Sequence, residues 1–100
     1  ETITLAIAWG VFTPLPAPVL PPALATLRAR FPALRAALVT LFLSDDAHAT
    51  RQPDGVVTHP DRPPYHRPRA EVEAEARAAG FAPAWADARL PRGQALLILT

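Results

Sequence analysis

Ile3, Leu5, Ile7 and Trp9 alternate with Thr2, Thr4, Ala6 and Ala8. This period of two predicts a strand over 2–9, whose small intervening residues leave room for its second face to be covered. Gly10 opens a turn, and Val11-Phe12-Thr13 carries apolar bulk into an approach marked by Pro14, Pro16 and Pro18. Pro21-Pro22 suits the first turn of a helix, where backbone N–H groups have no partner. Leu20, Leu24, Leu27 and Phe31 then recur at helical spacing, Arg28 and Arg30 fall near the negative C-terminal end, and Pro32 stops the run. The prediction is a helix over 22–31. Residues 37–43 form a nearly continuous apolar run ending at Ser44-Asp45-Asp46, as expected of a strand buried on both faces.

Residues 47–67 are polar, rich in Pro, His and Asp, and show no period. Such a long polar loop in a compact domain reads as a lid or binding loop. A second helix is predicted over 68–79, with Pro68 in its first turn, Glu71 near its positive end and Gly80 as the residue that ends it. Glu73 and Arg77 stand at i,i+4, and the buried face is thin, made of Val72, Ala76 and Ala79. Strands follow over 81–86 and 94–100. The turn signal Leu90-Pro91-Arg92-Gly93 makes them an antiparallel pair, and Pro83, which cannot donate to a ladder, puts the first at a sheet edge. The order strand, helix, strand, long loop, helix, edge strand, central strand predicts an α/β fold. Its sheet is mostly parallel and closes on an antiparallel C-terminal hairpin.

Composition narrows this picture. One hundred residues, 50% of them hydrophobic, suffice for one modest domain or part of a larger one. There is no cysteine, which excludes a disulfide framework, a cysteine-rich zinc site and a cysteine nucleophile. A formal net charge of +1 leaves no electrostatic footprint for nucleic acid. No apolar run reaches the roughly 18–20 residues that span a bilayer, and no cationic leader precedes the first strand. The expected protein is soluble and cytoplasmic, with no membrane partner. Because the chain opens inside a strand, it is expected to be a piece of a longer domain.

The helix over 68–79, the junction Ala79-Gly80-Phe81 and the closing hairpin resemble the C-terminus of class I, Rossmann-like S-adenosylmethionine-dependent methyltransferases. In that family a helix leads through such a junction into an edge strand, and the last strand inserts antiparallel beside the central ones. Leu5-Ala6-Ile7-Ala8-Trp9-Gly10-Val11-Phe12-Thr13-Pro14-Leu15 is similar to the family's fourth strand and the turn after it. Ala37-Leu38-Val39-Thr40-Leu41-Phe42-Leu43 resembles the fifth strand, and Tyr65-His66-Arg67-Pro68-Arg69-Ala70-Glu71-Val72 the entry to the last helix. The resemblance covers the whole chain but only the second half of the family's domain. The glycine-rich loop and the acidic residue that bind the cofactor are missing, since Gly10, Gly55, Gly80 and Gly93 form no G-x-G cluster. Ala33-Leu34-Arg35 also replaces the family's Pro-Gly-Gly turn.

The resemblance implies weak cofactor contacts from Trp9, Gly10 and Val11. It places Phe12, Thr13, Asp45, Asp46, His48, Tyr65 and His66 on the side of a small-molecule methyl acceptor. Ligands of open α/β sheets bind outside the carboxyl ends of the strands, which is where Trp9–Thr13 and Asp45–His48 fall. Each residue has a plainer reading: Phe12 as packing, Asp45, Asp46 and His48 as a solvated loop, Tyr65 as a loop anchor. His48, His59 and His66 with the nearby aspartates fit no metal-ligand spacing, and the one serine, Ser44, lacks the glycines of a nucleophile elbow. No residue is singled out as catalytic. Without its cofactor half the chain is expected to be inactive, its first strand left with an open edge. That edge would take the missing N-terminal half or a second copy. The competing readings are a small α/β interaction module pairing through that edge, and half of another Rossmann-like enzyme.

Overall fold

In the computed structural model, residues 4–8, 15, 17–87 and 90–100 are described. They form an α/β domain with a mixed sheet and two helices. The strands are β1 (Leu5–Ala8), β2 (Ala36–Leu43), β3 (Thr50–Arg51), β4 (Val57–Thr58), β5 (His66–Arg67), β6 (Pro83–Trp85) and β7 (Ala95–Leu99). The helices are α1 (Leu20–Arg30), entered through a 3-10 turn at Ala17–Val19, and α2 (Arg69–Ala78).

The main sheet runs β1-β2-β7-β6, with β5 also pairing β2. β1 and β5 are parallel to β2, whereas β7 is antiparallel to both β2 and β6. The last strand thus enters between β2 and β6, and Pro83 lies on an edge strand as its missing N–H requires. Helix α1 begins two residues earlier than the proline pair implies, and Pro21 and Pro22 stay within its first turn. The chain reaches β2 through a turn in which the Leu34 N–H donates to Phe31 O at 3.0 Å. Among the described residues Arg92 is the non-glycine with positive φ, so this turn needs no left-handed residue where the family has glycine.

The end of α2 explains the Ala79-Gly80-Phe81 junction physically. Gly80 has φ +90°, its N–H donates to Arg77 O at 3.0 Å, and the Phe81 N–H donates to Ala76 O at 3.0 Å. This is a Schellman motif, sealed by buried Phe81 against buried Ala76. Arg28 fastens the same corner: its guanidinium stacks 4.0 Å over the Phe81 ring and donates to Leu34 O, Gly80 O and Thr100 O.

Both helices pack on one face of the sheet. The core joins Leu20 and Leu24 of α1 and Val72 and Ala76 of α2 to Ala37, Val39 and Leu41 of β2 and Leu97 and Leu99 of β7. Ala6, Ala8 and Trp85 close this layer at its margins. The opposite pleat carries Leu5 and Ile7, which are 52% and 61% exposed, and half-buried Leu38 and Ile98. The expectation that 37–43 is buried on both faces holds at Thr40 and Phe42 and fails at Leu38.

Candidate functional site

β1, β2, β5 and β6 all run in one direction, so their carboxyl ends meet at one end of the sheet. Residues 47–67 fold over that end. Their polar sequence hides two short strands, β3 and β4, joined by a turn in which Gly55 has φ +90°. What orders this segment is a polar network. Ser44 Oγ and Thr50 Oγ1 lie 2.8 Å apart, and the Asp46 N–H donates to Ser44 Oγ at 3.1 Å. Gln52 Nε2 donates to Thr58 Oγ1 at 3.0 Å and to Leu43 O at 3.3 Å. Thr58 is fully buried, and a buried hydroxyl needs partners.

His66 is the centre of the network. It is 4% exposed, with Nδ1 2.8 Å from Thr58 Oγ1 and Nε2 2.9 Å from the main-chain oxygen of Asp46. A carbonyl can only accept, so Nε2 carries the hydrogen, and in the neutral ring Nδ1 accepts from the Thr58 hydroxyl. Both ring nitrogens are occupied. As folded, His66 holds the hairpin against the end of β2 and offers no free nitrogen to a ligand.

The other sequence candidates stand around it. Asp45, Asp46 and His48 are exposed. Asp46 Oδ1 accepts the His48 N–H at 2.9 Å, which closes an Asx turn. Tyr65 is half-buried and bridges His59 through the backbone. Of the five, Asp46 joins His48 within that turn and His66 from further along the chain, the latter through the Asp46 main chain and not its carboxylate. Trp9, Gly10, Val11, Phe12 and Thr13 lie outside the described residues. No group of three His, Asp or Glu side chains converges among the described residues. Nor is any described helix long and apolar enough to cross a membrane.

Two features escaped the sequence reading. Arg67, buried in β5, donates to both carboxylate oxygens of Glu75, at 2.8 Å to Oε1, and to Glu71 Oε1. The hydrogen bonding that Arg67 donates to Glu75 is the main cause that raises the Arg67 pKa above its ordinary value, and burial opposes it. The expected Glu73–Arg77 pair does not form; the ion pairs of α2 run to Arg67 instead. The second feature is a cleft of about 290 Å³ lined by Pro53, Arg69, Ala86, Asp87, Gly93, Gln94 and Ala95. Arg69 lies with its guanidinium 4.8 Å over the Trp85 ring, and Gln94 Oε1 is buried without a partner. In the sequence these positions fall in the polar loop, the second helix and the closing pair of strands with its turn, and nothing there marks them as neighbours; the cleft forms where the tip of the β3–β4 hairpin meets the turn at Gly93.

The site is therefore a polar shelf over the carboxyl ends of the strands, with an exposed acidic turn on one side and a small cleft on the other. Comparison of the chain with protein-family models, curated proteins and solved structures found no match in any of the three.

Proposed function

We propose that this chain forms the acceptor-side part of an S-adenosylmethionine-dependent methyltransferase domain acting on a small molecule. The observation that carries the reading is β7 lying antiparallel between β2 and β6, with both helices on one face. That is the arrangement which the resemblance of the second half of the chain implies. The polar shelf lies where ligands of open α/β sheets bind.

The cofactor supplies an electrophilic methyl group, and the protein's task is to hold an acceptor oxygen, nitrogen or carbon in line with it. In this reading the acceptor lies against the turn carrying Asp45, Asp46 and His48, with Tyr65 beside it. The exposed Asp45 carboxylate is free to orient an acceptor hydroxyl or amine. Gly55, Gly80 and Gly93 each serve a local turn, and the sequence holds no glycine-rich loop to receive the cofactor. The residues at hand therefore do not fit the cofactor by themselves, and no step is assigned to them.

The reading frame preceding Glu1 tests the proposal. It must encode, in phase, a strand, a G-x-G loop and a helix, followed by a strand ending in an acidic residue. An in-phase stop immediately upstream, or a different domain there, overturns the reading.

A further inference from the structure

The cleft between the β3–β4 hairpin and the turn at Gly93 carries both signs of charge. Arg69, the first residue of α2, and Asp87, just past β6, both line it. Both are exposed, and no ion pair joins them: among the described residues the ion pairs are those of Arg67 with Glu71 and Glu75. The Trp85 ring holds the Arg69 guanidinium by its face, which leaves the N–H edge of the guanidinium open. Gln94 also lines the cleft, with its Oε1 buried and unpartnered. A buried acceptor without a donor is costly, so turning the amide to meet an N–H in the cleft is favoured. The remaining lining is small: Pro53, Ala86, Gly93 and Ala95. An anion alone would meet the Asp87 carboxylate, and a cation alone would meet Arg69. A ligand with both charges suits both.

We propose that this cleft binds a small zwitterion of dipeptide size, with its carboxylate on Arg69, its ammonium on Asp87 and its peptide N–H on Gln94 Oε1. The guanidinium edge presents paired donors that match a carboxylate, and the Asp87 carboxylate accepts from an ammonium. The volume of about 290 Å³ and the small lining suit an unbranched ligand such as glycylglycine. Because Arg69 and Asp87 are exposed, water and salt screen both contacts. Binding is accordingly weak, with a Kd on the order of 1 mM. The inference uses only this cleft and stands independently of the methyltransferase reading.

Titration of glycylglycine into the isotope-labelled chain, to ~20 mM and followed by amide chemical shifts, tests it. The expected result is saturable shifts at Gly93, Ala95 and the Gln94 side-chain amide. N-acetylglycylglycine, which lacks the ammonium, and glycylglycinamide, which lacks the carboxylate, each bind about tenfold more weakly. Asp87→Asn, at an exposed position, removes the preference for glycylglycine over its acetylated form, with the far-ultraviolet circular dichroism spectrum unchanged. Shifts that fail to saturate at the cleft overturn the proposal. So does equal binding of glycylglycine and N-acetylglycylglycine by the unaltered chain, which would mean an anion site at Arg69 alone.

Discussion

At the scale of single residues, His66 and Arg67 are adjacent in sequence yet hold different parts of the molecule together. His66 satisfies a fully buried threonine hydroxyl and a main-chain carbonyl at once. His66→Ala removes the ring from the Thr58 hydroxyl, which keeps its hydrogen bond from Gln52 Nε2, and takes the ring N–H from the Asp46 carbonyl; it is expected to cost about 2 kcal/mol in urea denaturation. Because the ring already uses both nitrogens, the loss should appear as stability of the 47–67 segment. Amide exchange at Thr58 and Gln52 reports it. Arg67 is the only partner of the Glu75 carboxylate among the described residues, and that carboxylate is itself largely removed from water. Arg67→Ala is expected to cost about 3 kcal/mol, since it strands a buried charge. The Glu71 side chain is 51% exposed, so Glu71→Ala should cost less than about 1 kcal/mol. The raised Arg67 pKa means its charged form is favoured by folding. Its contribution is complete below the unfolded value and is lost only as pH rises through the higher folded value, in strong alkali.

At the scale of elements, the two structured turns differ in why they need glycine. Gly80 needs it for φ +90° alone, with the nearest atoms to an added Cβ on the Arg28 side chain at 3.9 Å. Gly93 has φ +75°, and an added Cβ would stand 2.9 Å from Pro53 Cδ. Gly80→Ala is therefore expected to cost about 1 kcal/mol, and Gly93→Ala more, because it also pushes the hairpin off the turn. Thermal melts of the two variants give the ranking directly. These elements also show what a sequence can disclose. α1, β2, α2 and the closing hairpin were legible because each carries its own signal: a proline pair, an apolar run, a glycine stop, a turn between apolar segments. β3, β4 and β5 are two residues each and have no period. They exist because Gln52, Thr58 and His66 find one another across the chain, a tertiary event without local pattern. The choice of Arg67 over Arg77 as partner for α2 was hidden for the same reason, since β5 had first to place Arg67 beside the helix. Of the site, the acidic turn after β2 was legible from position alone. The cleft at Gly93 and Gln94 was not, being formed by two turns distant in sequence.

At the scale of the whole molecule, the decisive property is one-sidedness. An α/β sheet whose strands carry apolar residues on both pleats is stable when both faces are covered. Here one face holds the core, and the other leaves Leu5 and Ile7 more than half exposed. The apolar character of β2 and β7 signals a cover without saying what supplies it. The polar shelf above the strand ends carries the exposed Asp45, Asp46 and His48, and the sequence holds no glycine-rich loop beside them. Both properties follow if the chain is the acceptor-side part of a larger methyltransferase domain, the account's central claim. Calorimetric titration of S-adenosylmethionine tests it most directly, using this chain and the chain extended upstream along its reading frame. The account predicts no binding to residues 1–100 and binding of the extended chain with a Kd in the micromolar range. Micromolar binding by residues 1–100 alone, or none by the extended chain, would contradict it.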